Sequence, residues 1–218
     1  MKSVLFIGNK NYSSWSLRSW FLLSEAGIGF KEVRVSLDTP EFAERIGSVS
    51  PARKVPVLLL DEQPVWDSLA IAETVAERWP DRELWPREPA ARAHARSISA
   101  EMHCGFAALR EAMPMNCRAM GRKVSLTDAV TDDINRVFAI WADCGSRYPA
   151  GDGWLFEKFS IADAMYAPLV FRFRTYGIVL PQSASRYPER VMKSKAIQGW
   201  LAASESETEV LDAEEAGQ

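Results

Sequence analysis

The sequence predicts a two-part chain: an α/β unit ordered strand–helix–strand then strand–strand–helix, followed by a half built only of helices. Three observations predict it. Apolar runs with strand character occur only in the first 66 residues. A charged stretch with three prolines, residues 80–89, interrupts the pattern. Beyond it, apolar residues recur only at helical spacing. The chain therefore divides into a first domain over residues 1–80, a linker over 81–88 and a helical domain over 89–218.

Residues 3–9 read as a short buried strand. Asn11, Tyr12, Ser13 and Ser14 are turn and helix-capping types. Residues 15–26 read as a helix that is apolar on most sides and so buried, with Gly27 as its stop. Residues 31–36 alternate, which predicts a strand with one wet face. Such a strand–helix–strand unit implies a parallel pair with a right-handed crossover. Residues 40–47 make a short, weak helix and residues 50–54 a loop. Residues 55–61 form a strand with proline at its second position, residues 61–64 turn, and Val65-Trp66 start the return strand. Asp67-Ser68 open a helix through about Arg78, and Pro80 stops it. Further helices are expected over 89–113, 126–147, 160–175 and 188–203. The last 14 residues are polar and acidic and are expected to fray.

Composition narrows the function classes. The chain is 47% hydrophobic and 25% charged, which suits a globular protein. Its net charge of −3 lacks the basic excess of a nucleic-acid binder. No apolar run approaches the ~18 residues of a membrane span, and the apolar stretch at the start is too short for a signal peptide. Cys104, Cys117 and Cys144 are odd in number and form no CxxC pair. His94 and His103 do not have metal-ligand spacing. The expectation is a cytoplasmic protein with no metal, no nucleic acid and no membrane as partner.

Four segments, in this order, carry a resemblance that covers nearly the whole chain. They are Tyr12-Ser13-Ser14-Trp15-Ser16-Leu17-Arg18, Lys54-Val55-Pro56-Val57-Leu58, Asp67-Ser68-Leu69-Ala70-Ile71 and Ser160-Ile161-Ala162-Asp163-Ala164. Together they resemble the cytosolic glutathione S-transferases, a bacterial member whose serine motif is similar to that of the zeta, maleylacetoacetate isomerase-like, class. The resemblance implies a thioredoxin-like first domain that binds glutathione as co-substrate. It also implies an all-α bundle that binds the second substrate, a small electrophile, and a homodimer. Trp15 departs from the zeta pattern, which has Cys there, and no cysteine lies in the first domain. Thiol-based reductase chemistry therefore has no obvious nucleophile in this chain.

Each motif has a physical use and a plainer structural one. Asp67-Ser68 at a helix start suits the γ-glutamyl end of glutathione: backbone N–H groups take the carboxylate and Asp67 the ammonium. The plainer use is a helix cap. Val55-Pro56, if cis, turns the Val55 main chain outward to pair with the ligand as one more strand. Only about 5–6% of X–Pro bonds are cis, so that state is implied by the resemblance, and a trans proline on an edge strand is the alternative. Lys54, and less so Arg53, suits the glycyl carboxylate, or is a solvated loop charge. A free thiol has a pKa near ~8.5, and lowering it by about two units takes roughly 2.7 kcal/mol. One hydrogen bond to a charged group contributes about 1.5–3 kcal/mol, so a single hydroxyl suffices. By the motif Ser13 is the first candidate and Ser14 the second, the other capping the helix; Tyr12 is third.

For the electrophile, Tyr12, Met102, His103 and Phe106 are the candidate lining, with Met113 and Met115 further along. The alternative is that these are core residues and that His103 is structural. Ser160-x-x-Asp163 reads as a helix capping box with a staple from Phe159 to Ala164, serving stability alone. Three functions follow: a serine-type glutathione transferase, a glutathione-dependent cis–trans isomerase using Arg110 and Arg174 as cationic donors, or a non-catalytic binding protein of the same fold.

Overall fold

Strand β1 (Ser3–Ile7) alternates buried and half-buried residues, and both its edges are paired. The computed structural model describes residues 2–149 and 152–218. Helix α1 (Ser14–Glu25) follows and buries Leu17, Phe21, Leu22 and Leu23. Strand β2 (Lys31–Arg34) returns parallel to β1, with Val4 opposite Lys31. Helix α2 (Pro40–Val49) is capped by Thr39, whose hydroxyl accepts the Phe42 N–H at 3.1 Å. Strands β3 (Val57–Leu60) and β4 (Gln63–Trp66) form an antiparallel hairpin, and helix α3 (Ser68–Arg78) closes the unit. The sheet order is β2-β1-β3-β4, with β3 antiparallel to β1. β3 begins two residues later than the apolar run because Pro56 has no N–H for the ladder.

The rest of the chain is helical: α4 (Pro89–Cys104), α5 (Ala107–Ala112), α6 (Asp128–Arg147), α7 (Ile161–Thr175), α8 (Gln182–Lys193) and α9 (Lys195–Glu205). Helix α1 packs against α7, so one hydrophobic core runs through both halves. Among the described residues, no helix is long and apolar enough to cross a membrane, and no cluster of His, Cys, Asp and Glu suits a metal ion.

Three expectations need correction. The run 89–113 is two helices, broken at Gly105. The chain leaves α4 there so tightly that an added Cβ would sit 2.7 Å from the Glu101 carbonyl oxygen. Gly105→Ala is expected to destabilise the fold by about 1–3 kcal/mol, read as a lower urea midpoint at unchanged m-value. The run 188–203 is also two helices. Helix α8 starts six residues earlier than expected and carries Pro188 inside it, and Ser194 ends it and caps α9, its hydroxyl accepting the Ile197 N–H at 3.3 Å. Finally, the acidic tail is folded back. Glu209 pairs with Arg34 at 2.7 Å, Glu215 pairs with Arg122, and the Lys123 N–H donates to the Gly217 carbonyl at 3.1 Å. The cations that hold it lie some 90 to 175 residues away, outside any local pattern.

Candidate functional site

A cleft of about 700 Å³ opens between the start of α1, the Arg53–Val55 loop, the α4–α5 corner, α7 and the tail. It brings together Tyr12, Ser13, Ser14, Trp15, Arg53, Lys54 and Val55 with Cys104, Arg110, Glu111, Arg172 and Glu214. The Val55–Pro56 peptide bond is cis.

The two serines are bonded differently. Ser13 is buried and is the N-cap of α1: its oxygen accepts the Ser16 N–H at 3.3 Å, and its hydroxyl donates to Ser16 Oγ at 2.7 Å. Ser16 Oγ also accepts the Gly8 N–H at 3.0 Å, so this chain of bonds runs inward to β1. Ser14 is half-buried, and its Oγ accepts a hydrogen bond from Arg172 Nη2 at 3.3 Å. Among the described residues the Ser14 hydroxyl donates no hydrogen bond of its own, so its proton is free for another acceptor.

Arg172 comes from the last turn of buried α7, where Nη1 donates to the carbonyls of Arg110 (3.0 Å) and Met113. Burial draws its guanidinium down to about 10, with Glu214 opposing and Arg110 adding to the fall. Arg18, wholly buried, is drawn down to about 9 by burial and then by Arg110 and Arg172. Burial also lowers Arg110. The indole of Trp15 ties this group together: Arg18 lies 4.2 Å and Arg110 4.8 Å from its ring centre. Among the described residues none of the three arginines has a carboxylate at ion-pair distance, and Nε of both Arg18 and Arg172 is buried without a hydrogen-bond partner. Arg110 and Arg172 line the cleft with Arg18 buried behind Trp15, so this side of it carries cations without an ion-pair partner, while Glu111 and Glu214 line it as well.

Asp67 and Ser68 lie off the cleft lining. Asp67 has φ 73° and ψ 134°, a sparsely populated conformation for a residue with a side chain. Its Oδ1 accepts the N–H of Leu69 (2.8 Å) and of Ala70 (3.4 Å), and His103 Nε2 sits 3.3 Å from Oδ2. Ser68 Oγ is buried with no partner. His103 therefore faces Asp67, with its ring edge-on to Trp15, and does not line the cleft.

Met102 and Phe106 point into the core at 1% and 6% exposure, with Phe106 against Tyr166; Met113 and Met115 are also fully buried. The cleft wall at this corner is made instead by Cys104, Ala107, Arg110 and Glu111, the other face of α4 and α5. Tyr12 donates to Glu215 Oε1 at 2.6 Å and accepts from Arg118 at 3.1 Å. Burial, followed by the bond to Glu215, raises its hydroxyl above the usual tyrosine range. Burial pushes the thiols of Cys117 and Cys144 up to about 12, so neither is a nucleophile. Arg174, named with Arg110 as a cationic donor, is exposed and off the cleft. Arg172, two residues earlier, takes that place. An arginine inside the apolar run 161–173 was the available signal for it. Glu214 and the rest of the tail had no such signal.

Comparison with known proteins bears on the family and the fold. Residues 12–78 match the family model for the glutathione S-transferase N-terminal domain, and residues 120–203 match that for the C-terminal domain. A probable maleylacetoacetate isomerase of Caenorhabditis elegans is 27% identical over 193 residues, covering 86% of this chain and 84% of the relative. The maleylacetoacetate isomerase of Rattus norvegicus is 27% identical over 202 residues, covering 90% and 88%. Among solved structures, a glutathione transferase homologue from Burkholderia, crystallised with bound glutathione, superposes with a TM-score of 0.71. It is 22% identical and covers 95% of this chain and all of its own. With both domain models matched in order across more than half of its length, and the thioredoxin-like and all-α units folded accordingly, the chain belongs to the glutathione S-transferase family.

Proposed function

We propose that the chain is a glutathione-dependent transferase of the serine type, with Ser14 as the hydroxyl that steadies the thiolate. The observation that carries this is the 3.3 Å bond from Arg172 Nη2 to Ser14 Oγ inside the cleft. The guanidinium polarises the hydroxyl and frees its proton to donate to an anion. Ser13, first by motif, is committed inward to Ser16.

The residues present fit glutathione. Ser68 Oγ is an unpartnered buried hydroxyl at the start of α3, where N–H groups and the helix dipole favour a carboxylate. The Asp67 carboxylate is 45% exposed, which leaves it room to take an ammonium beside His103. Val55 lines the cleft with its main chain available for strand-like pairing, and exposed Lys54 meets the glycyl carboxylate. Bound glutathione supplies a thiol whose ionised form is the nucleophile. The positive field of Arg18, Arg110 and Arg172 favours that ionised form.

A second reading is glutathione-dependent isomerisation of a small acidic substrate. The same unpaired arginines favour it, since a substrate carboxylate would compensate Arg110 and Arg172, and two relatives are maleylacetoacetate isomerases by name. In both readings the chain works as a cytoplasmic homodimer. Calorimetry with glutathione, with an ultraviolet titration of the bound thiolate, tests the shared part: uptake and a thiol pKa well below ~8.5 are expected, and no uptake would remove both readings. Turnover of haloaromatic and organic halides without turnover of maleylacetoacetate leaves the transferase; the converse leaves the isomerase.

A further inference from the structure

The loop that carries the serines is held by the far end of the chain. Lys10 and Asn11, both buried, donate their backbone N–H groups to the two oxygens of one carboxylate, Glu207, at 2.7 and 3.0 Å. The Lys10 carbonyl accepts from Trp200 Nε1 at 2.9 Å, and the Asn11 carbonyl accepts the Cys117 N–H at 3.1 Å. Arg118 clamps the tail in turn, donating to the main-chain carbonyls of Glu207 and, at 2.8 Å, Glu209. The grip passes forward through the Asn9 carbonyl, which accepts the N–H groups of Tyr12 (3.3 Å) and Ser13 (2.8 Å).

We propose that Glu207 is a positioning residue for the thiol-activating hydroxyl. The inference rests on the glutathione reading above. A carboxylate with both oxygens on consecutive N–H groups fixes both the position and the tilt of that peptide segment. The site is buried, so water has little access to replace it. Ser14 follows three residues on and must stay within reach of Arg172; a displacement near 1 Å at such a place is enough to lower a rate by about a hundredfold. Glu207 touches no reacting atom. It acts through the loop, from a segment that the sequence reads as a fraying end.

The test compares the unaltered chain with Glu207→Ala, Glu207→Gln and Glu209→Ala, using glutathione calorimetry, thiolate titration and steady-state kinetics. Glu207→Ala is expected to raise the bound thiol's pKa by about one unit and to lower kcat about tenfold or more, with KM for the electrophile little changed. Glu207→Gln keeps one acceptor oxygen and should fall between. Glu209→Ala, which loses a half-exposed tie to Arg34 and Ser36, should titrate like the unaltered chain. Unaltered thiol titration and kcat in both Glu207 variants, with only the melting temperature lowered, would overturn the proposal, as would equal effects from Glu209→Ala. If Glu207→Ala does not fold, Glu207→Gln decides alone: an intermediate shift supports, unaltered values overturn. Failure of the unaltered chain to take up glutathione would remove the functional reading itself; uptake with identical titrations removes only this inference.

Discussion

Ser14→Ala is expected to lower kcat/KM for the glutathione-dependent reaction by about ten- to a hundredfold and to raise the pKa of the bound thiol by about one to two units. The magnitude follows from the loss of one hydrogen bond to an anion, about 1.5–3 kcal/mol, with one pKa unit equal to about 1.4 kcal/mol. Ser14 lines the cleft, accepts from Arg172 at 3.3 Å and donates no hydrogen bond of its own among the described residues, so its proton is free for a bound thiolate. Ser13→Ala should behave differently. Its hydroxyl closes a buried chain from the α1 cap through Ser16 to the Gly8 N–H, so the variant should lose about 0.5–2 kcal/mol of stability with a smaller loss of rate. The two variants are compared by thiolate titration at a temperature where both are fully folded. A normal thiol pKa in Ser14→Ala with a raised one in Ser13→Ala would return the role to Ser13.

The contrast shows where sequence reasoning reaches its limit. Strand and helix order and the paired starts of α1 and α3 were legible, because each is written in neighbouring residues, whereas the cis Val55–Pro56 bond was implied only by the family resemblance. Which of the two adjacent hydroxyls, both in the cleft lining, meets a guanidinium was not legible. That depends on Arg172, 158 residues further on, whose guanidinium reaches back across the α1–α7 contact. Whether the apolar candidates line the cleft or the core stayed open for a related reason. Met102 and Phe106 have the right chemistry for an electrophile pocket, yet they lie on the face of α4 and the α4–α5 corner that packs inward. Gly105, where an added Cβ would meet the Glu101 carbonyl, and the left-handed Phe106 (φ 57°) set that corner, and periodicity does not report a break made at two residues. The tail was misread because an acidic, polar segment normally lacks the apolar area to offset its ordering entropy. Here carboxylates take the place of apolar area: Glu207, Glu209 and Glu215 each meet a cation or main-chain donor of the other elements.

The largest loss of stability is expected from Asp163→Ala at the start of α7. Asp163 is fully buried, and three donors converge on it: the N–H of Leu155 at 2.9 Å on Oδ1, and the N–H and hydroxyl of Ser160, both at 2.8 Å, on Oδ2. Alanine would leave two buried main-chain N–H groups unpaired and open a gap in the helix that joins both halves, for about 3–5 kcal/mol. In a chain of this size that is a fall in melting temperature of roughly 6–20 °C. The pH dependence has a definite sign. Burial raises the Asp163 carboxyl to about 7, against the pull of its hydrogen bonds, so the folded state holds this proton more tightly than the unfolded one. Its contribution is then fully present below about pH 4 and is lost as pH rises through about 7. The protonated form stays satisfied, since the Ser160 hydroxyl can rotate to accept from it. Asp163→Asn cannot titrate, although its amide turns a donor toward a donor and lowers stability at every pH. The difference in unfolding free energy between the unaltered chain and Asp163→Asn should therefore shrink between pH 4 and 7 and stay level above. A difference that widens over that interval would mean that the hydrogen bonds, and not burial, govern this carboxyl.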